Sequence, residues 1–200
     1  MMKFTRMLAI ATVLSSGHAQ AQSGYWRDSS GRPVPETDSM KSKDGFAGSL
    51  LATTDKNWEK KWNTPPETKP HFDTADVVPY GKKIFILTLF SNPKRDGSGY
   101  VNVRCDIKLI DPRGKASLIQ QDSTCYAGRL GGNPYNVYLC APVVGFSGDP
   151  GDPAGVWIVE VKLRDAIRNV DLRLRTTFTL RKSVAVLPDH MVNRAVRKGM

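Results

Sequence analysis

Three cysteines, three histidines and one loop carrying two aspartates are the residues of this 200-residue chain with the most chemistry to offer. Cys105, Cys125 and Cys140 contain no C-x-x-C pair, so they lack zinc-ligand spacing and are left with thiol or disulfide chemistry. His18 falls in the first 21 residues, His71 stands beside Pro70, and His190 sits in a basic C-terminal run. None lies in strand-like sequence that would hold a general base rigid. Ser147 in Gly145-Phe146-Ser147-Gly148 misses the G-x-S-x-G elbow, because Asp149 stands where the second glycine belongs. Asp149 and Asp152 supply two carboxylates where Ca²⁺ takes about six to eight oxygens, so this loop reads as a turn fixed by Pro150 and Pro153. The expectation is a chain with no catalytic residue, no metal and no cofactor.

Two further groupings suit surface contact rather than catalysis. Trp58 and Trp62 in Asp55 to Trp62 (DKNWEKKW) are four apart, which puts both indoles on one side of a helical turn. Such rings either dock on the folded domain or offer a platform to a partner or glycan. Near the C-terminus, Asp189 is a competent N-cap, and Met191, Val192, Ala195 and Val196 share one face of any helix that starts there. Arg194, Arg197 and Lys198 then become candidate contacts for an anionic surface, with a frayed solvated tail as the rival reading.

The segments that must position these residues follow from composition. Lys3 and Arg6, the apolar stretch Met7 to Leu14 and the triplet Ala19-Gln20-Ala21 have the order of a secretory signal peptide, predicting cleavage before Gln22. Met7 to Leu14 is far too short to span a membrane. Removing residues 1–21 lowers the formal charge from +10 to +8, and the last twenty residues carry half of the remainder. The domain itself is therefore only mildly basic, which with export argues against nucleic acid. Residues 22–75 are poor in branched aliphatics and end in NTPPETKP, predicting an extended leader, mobile to about residue 50, in which only the Trp58 and Trp62 segment docks.

From 76 to 181 the pattern becomes all-β. Lys82 to Phe90 is apolar on both faces and predicts a central strand. Val101, Val103, Cys105, Ile107 and Leu109 alternate with polar residues, and Asp111 to Lys115 (DPRGK) supplies the turn to a returning strand over 116–124. Val137 to Val144 predicts one more strand. Alternation over 157–163 and 172–180 predicts a hairpin joined by 165–170. At least six such strands need two sheets packed face to face. Residues 182–200 form a short basic tail. Export to an oxidising compartment and the shared hairpin predict a Cys105–Cys125 disulfide, leaving Cys140 a buried thiol; pairing of Cys140 with either of the others is the alternative.

The hairpin Val103 to Gln121 around DPRGK, and Pro153 to Asp165 (PAGVWIVEVKLRD), resemble an immunoglobulin-like or fibronectin-type domain of bacterial envelope proteins. The resemblance covers about half of the chain and implies an antiparallel two-sheet sandwich. The Cys, Trp, Cys order of antibody domains is absent, because Trp157 follows all three cysteines. Tyr25 to Val34 (YWRDSSGRPV) is similar to the short segment after the signal peptide in some proteobacterial outer-membrane protein A-like chains, which implies a Gram-negative envelope. Together these predict an exported, non-catalytic binding or structural protein of the periplasm, meeting an envelope protein or glycan through its surface and not spanning the membrane. The competing expectations are an enzyme accessory or inhibitor module, and an assembly chaperone for surface subunits, which needs an open edge strand.

Overall fold

The computed structural model describes residues 25–28, 30–64 and 71–182. Residues 1–24, where a signal peptide is expected, the tail with His190, Arg194, Arg197 and Lys198, and the run Pro65 to Pro70 lie outside the described residues. Among the described residues the chain order is β1 (Met40–Lys43), β2 (Phe46–Thr53), α1 (Trp58–Trp62), β3 (Val77–Pro79), β4 (Lys83–Ser91) and β5 (Tyr100–Ile110). It continues with β6 (Ala116–Arg129), β7 (Val137–Leu139), β8 (Val144–Ser147), β9 (Gly155–Asp165) and β10 (Val170–Arg181). Among the described residues no helix is long and apolar enough to cross a membrane.

The strands form two sheets. The first runs β1-β2-β4, and the far side of β4 is shared by β7 at one end and β8 at the other. The second runs β3-β10-β9-β5-β6, antiparallel throughout except for the parallel β3–β10 pair at its edge. Strict alternation builds the second sheet. Val101, Val103, Cys105, Ile107 and Leu109 of β5 are buried, as are Trp157, Val159, Val161 and Leu163 of β9 and Leu172, Leu174, Phe178 and Leu180 of β10. Against them the first sheet sets Phe46, Leu50, Ile84, Ile86 and Phe90. Trp157 stacks on Phe178 and packs against Phe146, and its indole N–H donates to the Pro153 carbonyl at 3.0 Å.

The sandwich begins well before residue 76, so the leader expectation is corrected. β1 and β2 lie inside the first sheet, and Phe46 and Ala47 are fully buried. β2 reads FAGSLLAT, in which small residues hide a strand closed in on both faces. Gly48 shows why: a Cβ there would stand 2.9 Å from Leu163 Cδ2, so only glycine lets the second sheet come this close. β3 went unpredicted because three residues hold too little pattern to see. The single strand expected over 137–144 is split into β7 and β8 around the cis Ala141–Pro142 bond.

At one end a polar clasp ties the sheets together. Asp165, fully buried, accepts from the Lys94 N–H at 2.7 Å, the Arg168 N–H at 3.0 Å and Arg168 Nε at 3.2 Å. The same guanidinium donates to the carbonyls of Asp44 and Asn92, one from each chain segment flanking the first sheet. A buried carboxylate is tolerable here because both oxygens are occupied.

Candidate interaction surface

β4 is apolar on both faces because both faces are covered. Its register with β2 places Ile84, Ile86 and Phe90 toward the core, and Phe85, Leu87 and Leu89 on the outer side. α1 lies over that outer side. Its indole at Trp58 sits 5.8 Å from the Phe85 ring, and Lys83 Nζ stands over the same ring at 5.3 Å. Trp58, Glu59, Lys83, Phe85, Leu139 and Val143 border a shallow depression of about 380 Å³. Trp58 and Trp62 are each half-buried, so the rings neither vanish into the core nor stand free.

Five residues make a poor helix by themselves, and tertiary contacts hold α1 instead. Lys61 Nζ bonds Asp55 Oδ2 at 2.7 Å, and the same oxygen accepts from the Asp73 N–H at 2.9 Å. The Lys61 ammonium, and then the Asp73 N–H, hold the Asp55 carboxyl below its ordinary range. At the other end of the sheet, Tyr25 OH and Ser91 Oγ are hydrogen-bonded at 2.6 Å, and burial pushes the phenol up. The Trp26 indole reaches the Lys41 carbonyl at 3.4 Å. The segment Tyr25 to Val34 is a small turn: Asp28 Oδ1 accepts from the N–H groups of Ser30 and Arg32, and Arg27 bridges Pro33.

The outcomes for the other sequence candidates are local. Cys105 and Cys125 are bonded, with Cα atoms 5.9 Å apart. Cys125 is the extra residue of a bulge, since Val103 pairs Tyr126 while Arg104 pairs Thr124, and this turns its sulfur into the core beside Cys105. Cys140 is a free, buried thiol whose pKa burial pushes up. Asp152 Oδ2 accepts from the Asp149 N–H at 2.8 Å, a bond internal to the loop, while Asp165 belongs to the clasp and His71 is exposed. Beyond the disulfide and the bond within the loop, the structure does not bring Asp149, Asp152, Asp165 and His71 together in one site. Among the described residues no three His, Cys, Asp or Glu side chains are close enough to hold a metal ion.

Phe85 and Lys83 were missed as site residues. The signal was present, since a strand apolar on both faces needs a cover and the only nearby aromatic-rich segment is DKNWEKKW. The outer face of the second sheet was also passed over. There Arg104, Lys108, Lys162, Arg164, Arg173 and Arg175 stand among Asp106, Asp122, Glu160 and Asp171. Asp171 holds Lys162 at 2.8 Å and Arg164 at 3.0 Å, and Asp122 binds Arg104.

No family model matches the chain, and no curated protein does. Among solved structures, it is similar to a family 123 glycoside hydrolase from Clostridium perfringens studied for glycolipid glycan hydrolysis, at 9% identity and a TM-score of 0.41. That likeness covers 70% of this chain and 28% of the other, so the chain spans under a third of that protein's length.

Proposed function

We propose that this chain is an exported, non-catalytic binding protein of the bacterial periplasm that acts through the surface of an immunoglobulin-like sandwich. One observation carries the reading: Trp58, partly exposed over Phe85, borders an apolar depression whose rim bears one cation, Lys83, and one anion, Glu59. An apolar floor with a donor and an acceptor at its edge suits an amphipathic ligand, a sugar ring or an extended segment of an envelope protein. The strand order supports the immunoglobulin-like part. β2-β4-β7/β8 against β3-β10-β9-β5-β6 follows the A-B-E and A′-G-F-C-C′ arrangement of such sandwiches, with β3 as the parallel edge strand. The Cys105–Cys125 link joins neighbours within one sheet, unlike the bridge between sheets in antibody domains.

The test is photo-cross-linking from position 59 in living cells, together with a glycan array, each run with the mature protein and with Trp58→Ala. A partner or sugar captured by the first and lost by the second supports the assignment. Capture that is equal in both forms, or absent in both assays, overturns it.

A further inference from the structure

The two rows of β5, β9 and β10 nearest the hairpin turn at 165–170 contain pairings that a merely solvated face would avoid. Arg173 lies directly opposite Lys162, and Arg164 directly opposite Arg104. Like charges facing each other across neighbouring strands weaken a sheet; Asp171 and Asp122 offset this at Lys162, Arg164 and Arg104, and leave Arg173 opposite Lys162 without an acid of its own. Lys108 and Arg173 have no acid partner within 4 Å among the described residues. With Arg129 and Arg181, which the register also turns outward, the strands of this face carry eight cations against four acids, and Lys41 and Asp38 border it together from the β10 edge.

The other end of the same face is apolar. Alternation that puts Glu160 and Lys162 outward also puts Val156 and Ile158 outward, and the register sets Ile110 beside Ile158. Thr179 of β10 has Val77 on one side and Val156 on the other. Ile119 lies opposite Lys108 on β6. Val77, Val156 and Ile119 are 51%, 53% and 56% exposed, three of the most exposed large apolar side chains among the described residues. One sheet face thus carries an apolar band at one end and, around a depression of about 400 Å³ bordered by Lys41, Lys108, Lys162 and Arg173, surplus positive charge at the other.

We propose that this face docks on an anionic lipid surface, with the apolar band against the acyl boundary and the cation rows on the head-group phosphates. Charge complementarity selects this occupant. A second copy of the chain laid on the same face would bring cations onto cations, and a soluble polyanion would leave the apolar band without a partner. The inference concerns a different sheet from the Trp58 depression and stands or falls separately from it.

The mature full-length protein is sedimented with vesicles of phosphatidylglycerol and phosphatidylcholine, and with phosphatidylcholine alone, at physiological salt. Binding to the anionic vesicles is expected to exceed that to neutral ones by about tenfold or more. Lys108→Glu with Arg173→Glu should abolish most of that difference, and Val156→Asn with Ile119→Asn should weaken binding several-fold. Trp58→Ala should leave vesicle binding unchanged. Thermal melting of each variant within a few degrees of the parent establishes that the face, and not folding, is altered; if a pair melts lower, its single substitutions serve. Equal binding to the two vesicle types, or binding unmoved by the charge reversals, overturns the proposal. So does dextran sulfate binding of parent strength in the Val156→Asn, Ile119→Asn protein without any vesicle binding, which would assign the face to a polyanionic chain.

Discussion

The two sheets meet their surroundings differently. The outer side of the first sheet is roofed by its own chain, with α1 and Trp58 over Phe85 at one end and Tyr25 on Ser91 at the other. The outer side of the second is bare, with charged side chains in register across three strands. A roofed sheet is written in apolar and small residues on both faces, as in FAGSLLAT and KKIFILTLF, whereas a bare one alternates, as in VWIVEVKLR and LRLRTTFTL. Its inner positions secure the fold and its outer positions are free for other uses.

The contrast should fail first, if at all, where the sheets are tied together. Asp165→Ala strands the Lys94 N–H and the Arg168 guanidinium at a buried site, and should cost about 3 kcal/mol in urea unfolding. A loss under about 1 kcal/mol would mean the clasp is incidental to sheet pairing. Close behind is the disulfide. Replacing Cys105 and Cys125 by serine opens a loop with a sequence separation of 20 and should cost about 3 kcal/mol in the chain-entropy model. Thiol titration of the native parent should detect no reactive cysteine, with Cys140 appearing only on unfolding. One fast-reacting thiol would contradict the buried position.

Gly48→Val probes how closely the sheets approach at β2. The added atoms meet Leu163, Leu172 and Leu174, and a loss of about 1 to 3 kcal/mol is expected, against a negligible change for Gly97→Ser, where nothing lies within 4 Å and the backbone is in an ordinary conformation. A smaller effect belongs to the roof. Trp58→Ala should cost about 1 to 2 kcal/mol, since the indole is only partly buried. The roof should also lift in acid: the Asp55 carboxyl is held below its ordinary range by Lys61 and the Asp73 N–H, so its contribution is complete above about pH 4 and disappears as pH falls through the lowered value. Tryptophan fluorescence followed down in pH should shift in the parent and stay flat in Asp55→Asn; parallel curves would remove Asp55 from the anchoring of α1. The weakest effect belongs to the bare face. Arg175→Ala, whose guanidinium is 3.9 Å from Glu160 at the surface, should alter stability by no more than about 0.5 kcal/mol. A larger loss would show that outer charges hold the second sheet together after all.

What could be read ahead of the structure divides along the same line. β5, β9 and β10 were legible nearly to their ends, because one wet face imposes the alternation that marks a strand. β2 was not, since glycine, serine, alanine and threonine between a core and a roof look like linker until a neighbour is placed on each side. Cys105 and Cys125 could be paired through their hairpin, although the bulge that turns Cys125 inward has no sequence mark. Trp58 was legible as an aromatic in need of a surface. Its counterpart Phe85 was hidden in a strand where every residue looked like core, and Lys83 looked like a strand end.

The parallel β3–β10 pair also bears on timing. Val77 meets Thr179, so the edge of the second sheet joins positions about a hundred residues apart, and β10 lies between that edge strand and β9. A chain delivered from its N-terminus, by a ribosome or through a pore, can assemble β2 on β4 early but cannot close the other layer until residue 181 has emerged. Until then β9 lacks a neighbour on one side and β3 has no strand to join, and non-local closure of this kind is slow. Closure of the second sheet is thereby coupled to the emergence of β10.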